Sequence, residues 1–221
     1  MNVFEQIKQK CLKRKIGRSS FMEFLEVLDE VEKAEALGAA LIAGGVNCAE
    51  VTFRVAGADQ VISRLVKAYP DMLVGAGTVL TIEQLYAAKA AGAKFCVAPG
   101  LNPTVVKEAL KIGMPFIPGV ATPSEIECAL ELGLDTVKFF PAEQAGGINY
   151  IKAVSAAYTS LKFMPTGGVN AKNILNYIAY DKVIACGGSW IVAKNLLKES
   201  NWDEVTRLCK EVVAQIKEVR G

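Results

Sequence analysis

The segment DTVKFFPAE, residues 135–143, places Lys138 between Val137 and Phe139 in a run of strand formers that Pro141 ends. A lysine buried mid-strand is costly unless something compensates it. In CAEVTFR, residues 48–54, Glu50, Thr52 and Arg54 fall on one face of a strand, and Val51 and Phe53 on the other. With the apolar residues turned to covering helices, Glu50, Thr52 and Arg54 point inward. The same alternation turns Thr136, Lys138 and Phe140 inward. A carboxylate, an amine and a guanidinium then converge. Such a group does acid–base and nucleophilic chemistry, or it is a plain buried ion network. The three residues alone leave both readings open.

The total composition narrows the chemistry. The 221-residue chain has no histidine. This excludes Ser-His and Cys-His nucleophiles and histidine-ligated metals. A net charge of +2 gives no broad basic footprint for nucleic acid. The six cysteines form no CxxC pair and sit mostly in apolar runs, as small core residues in a reducing compartment would. The start, EQIKQKCLKRK, lacks the apolar region of a signal peptide, and no stretch approaches a membrane span.

Short apolar runs at 48–53, 72–76, 94–98, 115–119, 136–140, 161–165 and 182–186 alternate with helical patterns. Their spacing of about 20–25 residues is that of one βα unit. FMEFLEVL, 21–28, stands where a first strand belongs, although Glu23 and Glu26 interrupt it and a helix would also accommodate it. Eight units predict an α/β protein, a (β/α)8 barrel, as one domain over 1–221; an open doubly wound sheet is the alternative. A helix is expected at 3–15 and another at 202–219. Thr81 and Thr122 begin helices, and Gly92, Gly113 and Gly133 close them.

Glycines mark the rim on which such a barrel carries its site. GAGT (75–78), APG (98–100) and PGV (118–120) end strands three to five, and TGGV (166–169) and CGGS (186–189) follow the last two. Each pair alone could be a tight turn. Together, after consecutive late strands, they suit a phosphate, with Ser189 adding a hydroxyl.

The stretches AEVTFR, VGAGTV, VKFFPAE, MPTGGVN and ACGGSW, in this order, resemble the 2-keto-3-deoxy-6-phosphogluconate aldolases and their relatives that split 4-hydroxy-2-oxoglutarate. These are class I, Schiff-base aldolases on a (β/α)8 barrel, without a cofactor. The resemblance runs from about residue 30 to the C-terminus. It implies that Lys138 forms the imine and Glu50 moves protons. It implies that Arg54 and Thr78 hold the pyruvate carboxylate and Phe140 walls the pocket. Thr166, Gly167 and Gly168, with Gly187, Gly188 and Ser189, would take the distal phosphate. The implied setting is a cytoplasmic homotrimer acting on a small 2-keto acid, with no nucleic acid or membrane partner.

Two departures stand out. RSSFMEFLEVL replaces an apolar Val-Pro-Val-like run, and Val55 follows Arg54 where Thr is common. Two rivals share these features: a phosphate-binding isomerase or epimerase that needs no imine, and a barrel of this family altered into an assembly scaffold. Because the imine reading assigns carbonyl activation to Lys138, we expect EDTA to leave turnover intact. Loss of activity on metal removal would sink that assignment.

Overall fold

The computed structural model describes residues 20–25 and 31–220. The helix expected at 3–15 and residues 26–28 of the first candidate strand lie outside the described residues. The remainder of that segment, Ser20–Leu25, is a strand (β1).

Parallel strands follow at Cys48–Thr52 (β2), Leu73–Gly77 (β3), Cys96–Val97 (β4), Phe116–Ile117 (β5), Gly119–Val120 (β6), Thr136–Phe139 (β7), Lys162–Pro165 (β8) and Ala185–Gly188 (β9). One ladder runs β5-β4-β3-β2-β1-β9 and another β6-β7-β8. Single bridges, Phe163 to Val183 and Thr166 to Gly187, join β8 to β9. The remaining seam is Pro118, which separates β5 from β6 because proline has no N–H to donate. Its carbonyl still accepts from the Lys138 N–H at 2.8 Å. β5 and β6 are therefore one interrupted barrel position, and the sheet closes as eight.

Two strand boundaries shift and one helix is added. The strand expected at 94–98 is regular only at Cys96–Val97, although Lys94 and Ala98 also donate to neighbouring strands. The strand expected at 182–186 begins at Ala185, so Gly187 and Gly188 belong to β9 and not to the loop beyond it. They pair with Met22 and Glu23 of β1. Gly188 is a glycine because a Cβ there would lie 1.7 Å from the Trp190 indole. The short helix Lys194–Lys198 was not foreseen from its pattern.

Helices cover the outside, and local chemistry starts them. The Thr122 hydroxyl accepts from the Glu125 N–H, and the Glu125 carboxylate accepts from the Thr122 N–H, a reciprocal box before Pro123–Glu131. Such a cap contributes about 1 kcal/mol. Thr81 caps Ile82–Ala90 and Asn102 caps Pro103–Lys111. Gly92, Gly113 and Gly133 follow three helices with positive φ, where other residues are strained.

The sheet separates two apolar layers. Val51, Val74, Val137, Phe139 and Phe163 face outward into the core shared with the helices. Cys48, Leu73, Phe95, Val97, Ile117, Met164 and Ala185 plug the barrel interior. Each large side chain sealed in this plug contributes about 1.5–3 kcal/mol. Phe95 fits because Gly75 leaves it room: a Cβ on Gly75 would be 2.2 Å from the Phe95 ring. Among the described residues no helix is long and apolar enough to cross a membrane.

Candidate active site

The inward side chains change character toward the strands' C-terminal ends. On β2, Cys48 belongs to the plug and Glu50 and Thr52 lie above it. On β7, Lys138 follows Thr136 on the same face. β2 and β7 are the second and sixth positions of the barrel, and alternate strands supply one layer. Lys138 Nζ consequently reaches Glu50 Oε1 at 3.7 Å. That is an ion-pair distance and too long for a hydrogen bond. The Glu50 side chain is fully buried and that of Lys138 is 8% exposed.

Glycines make room for Glu50 and for close backbone packing beside the lysine strand. Glu50 lies in register with Gly75, and Lys138 with Gly119. A Cβ on Gly77 would stand 1.9 Å from Glu50 Oε1, and one on Gly119 would stand 2.1 Å from the Pro99 carbonyl oxygen. The glycines near the rim thus admit long polar side chains and close backbone approach as well as turns.

Burial sets the protonation of the pair. It raises the Glu50 carboxyl to about 7, against the opposing pull of Lys138 and Arg54. It also lowers the Lys138 ammonium, with a smaller push from Arg54, while Glu50 acts to raise it. Desolvation and Arg54 thus act together on the lysine. The Phe140 ring centroid lies 5.4 Å from Nζ and favours the charged form, so its effect opposes the burial it helps create. No hydrogen bond to either Glu50 oxygen is found among the described residues, so both acceptors face the cleft unsatisfied. Cys96 is no rival nucleophile, because burial, with the Glu50 charge added, pushes its thiol up to about 12.

A cleft of about 280 Å³ opens above the pair. It brings together every residue singled out from the sequence: Glu50, Arg54, Thr78, Lys138, Phe140, Thr166, Gly167, Gly168, Gly187, Gly188 and Ser189. Arg54 differs from expectation in depth. β2 ends at Thr52, so Arg54 is exposed at the mouth and not inside the barrel. Its Nε donates to Thr52 Oγ1 at 3.3 Å. Thr78 takes positive φ (56°), unusual for a β-branched residue, and lines the cleft. Gly167 and Gly168 also have positive φ, at 92° and 79°. Thr166 Oγ1 is buried without a hydrogen-bond partner among the described residues.

Three lining residues had no assigned role: Thr52, Pro99 and Val169. Thr52 was legible as inward-facing by alternation with Glu50. Pro99 and Val169 lie in loops, where alternation carries no signal. Among the described residues no group of three or more Asp, Glu, Cys or His side chains could hold a metal ion.

This arrangement offers a nucleophilic amine, a proton carrier titrating near neutrality, a cation at the mouth and a glycine-lined far wall. The chain as a whole is similar to known proteins. Residues 15–208 fit the aldolase family described as "KDPG and KHG aldolase". The chain is 47% identical to the 2-dehydro-3-deoxy-phosphogluconate aldolase of Haemophilus influenzae, over 86% of this chain and 90% of that protein. It is 39% identical to the KHG/KDPG aldolase of Escherichia coli K12, over 85% and 88% respectively. A solved KDPG aldolase of Legionella pneumophila, with pyruvate captured at low pH as a covalent carbinolamine, superposes with a TM-score of 0.84. It is 40% identical and covers 92% of this chain and 96% of that one.

The Glu50 shift predicts how stability depends on pH. Its folded pKa lies above its unfolded value of about 4.5, so its stabilising contribution is full below 4.5 and disappears as pH rises through 7. The difference is on the order of 3 kcal/mol. Glu50→Gln removes this loss. The Tm of the variant relative to wild type should therefore rise between pH 5 and pH 8.5; a constant or falling difference would contradict the assigned burial cost.

Proposed function

Since the chain belongs to the KDPG and KHG aldolase family, a family of carbon–carbon lyases, we propose that it cleaves 2-keto-3-deoxy-6-phosphogluconate to pyruvate and glyceraldehyde 3-phosphate through an imine on Lys138. The observation that carries this reading is the buried Lys138–Glu50 contact at the floor of the cleft.

The neutral Lys138 amine adds to the C2 ketone. A solvated lysine is neutral in roughly one molecule in 2,500 at pH 7, and each unit by which its pKa falls raises that fraction up to tenfold. The lowering of Lys138 by burial serves this step. Glu50, near 7, holds and releases a proton at neutral pH. As an acid it protonates the carbinolamine hydroxyl, which leaves as water and gives a protonated imine. As a base it takes the C4 hydroxyl proton while the C3–C4 bond breaks. That electron pair passes into the imine and leaves an enamine, and the aldehyde departs. Glu50 then returns the proton to the enamine carbon, and water releases pyruvate and the amine.

Arg54 and Thr78 line the mouth at the end of β2 and just beyond β3, where they would receive the carboxylate. The positive-φ backbone at Gly167 and Gly168, with Gly187, Gly188 and Ser189, would receive the phosphate. The relatives named KHG/KDPG aldolase support a second substrate, 4-hydroxy-2-oxoglutarate, giving pyruvate and glyoxylate from the same pyruvate half. The scaffold reading is not favoured, since the curated relatives bear enzyme names and are covered almost throughout. An isomerase or epimerase leaves Lys138 without a task.

Borohydride added with pyruvate should leave a stable adduct on Lys138 by peptide mass mapping, and Lys138→Ala should abolish both adduct and turnover. An adduct elsewhere, or none on folded protein, would overturn the assignment. We extend the reading to a cytoplasmic homotrimer, so light scattering should give three times 23.7 kDa, and a monomer mass would reject it.

A further inference from the structure

Behind the cleft, the loop that follows the lysine strand is laced to the loop that follows β8. The Ala142 N–H donates to the Thr166 carbonyl at 2.8 Å, and the Glu143 N–H to the Gly167 carbonyl at 3.1 Å. The Gly168 carbonyl accepts from the side-chain amides of Asn170 and Asn173, at 2.9 and 3.0 Å. Tyr177 lies one turn further on, in the helix Ile174–Ile178. Its ring is 1% exposed, and its hydroxyl donates to the Glu143 carboxylate. Burial and that carboxylate hold the phenol above its ordinary range, so it remains the donor.

Two glycines are shaped around this contact. A Cβ on Gly168 would stand 2.7 Å from Glu143 Cβ and Cγ. One on Gly147 would stand 3.3 Å from both Glu143 Oε1 and Tyr177 Oη. Glu143 therefore lies directly against Gly168, and Tyr177 holds it there. Neither residue is among those lining the cleft. Through this contact the helix after β8, the glycine loop and the loop after Lys138 form one clamped unit.

We propose that Glu143 and Tyr177 are positioning residues that set the Gly167–Gly168 loop at its distance from Lys138, and so determine how well the site takes a phosphorylated aldehyde half. The inference rests on the phosphate reading above. On that reading the pyruvate half would sit against Glu50, Arg54 and Thr78, none of which contacts Glu143 or Tyr177 through the bonds above. Loosening the clamp should cost binding of the phosphorylated end and leave imine formation with pyruvate unchanged.

Tyr177→Phe keeps the ring and removes the donor. We expect its KM for 2-keto-3-deoxy-6-phosphogluconate to rise roughly three- to tenfold, allowing for partial exposure of the bond, with kcat within about twofold. Its kcat/KM for unphosphorylated 4-hydroxy-2-oxoglutarate should stay within about twofold, and its borohydride-trapped pyruvate should match wild type. Glu143→Gln keeps an acceptor for the hydroxyl and should show a smaller loss of the same selective kind. It also carries the test if Tyr177→Phe does not fold. An equal loss on both substrates, or no loss on the phosphorylated one, would overturn the inference while leaving the imine reading intact. Failure of wild type to trap pyruvate would overturn the imine reading and this one with it.

Discussion

A carboxylate and an amine share a nearly dry space inside the barrel, and much of the structure around them is shaped by that fact. Glu50 and Lys138 lie 3.7 Å apart on opposite sides of the interior. Water is largely excluded from them, and charge in such a place is expensive. The cost appears as displaced proton equilibria: the acid is raised to about 7 and the base is lowered. Both shifts favour neutral forms. They supply what imine chemistry needs, an unprotonated amine beside a group that exchanges protons near neutral pH.

The glycines are part of the same constraint. Gly77 leaves space for the Glu50 carboxylate, and Gly119 lets the interrupted fifth strand approach Pro99 beside the lysine strand. Beneath them, Phe95 over Gly75 helps to seal the floor. Polar chemistry above and an apolar plug below follow from successive inward positions along the same strands, as with Cys48 and Glu50 on β2. Arg54, beyond the end of β2, keeps its charge in contact with solvent and still influences both members of the pair.

Much of this was legible from residue order. Alternation placed Glu50 and Lys138 on inward faces, and the spacing of βα units placed them on strands whose side chains share a layer. The capping residues Thr81 and Thr122 marked helix starts because their side chains act on the N–H three residues ahead. What escaped has physical reasons. β9 is regular only from Ala185, and a partner strand is not written in a strand's own composition. Pro118 splits a strand that reads as a continuous apolar run. Pro99 and Val169 reach the cleft from loops, which have no period to read. The Glu143–Tyr177 contact joins residues 34 positions apart, and nothing local to either announces it.

Residue order alone carries the alternating units, the inward chemistry of β2 and β7, the absence of histidine and the family motifs in their order. These depend on neighbours along the chain, through side-chain alternation, helix capping and residue type. The assembled barrel set the 3.7 Å separation of Glu50 and Lys138, the exposed seat of Arg54, the burial that shifts both protons and the Glu143–Tyr177 contact behind the glycine loop. Distance and desolvation arise when remote segments exclude water together, and no single segment carries that information.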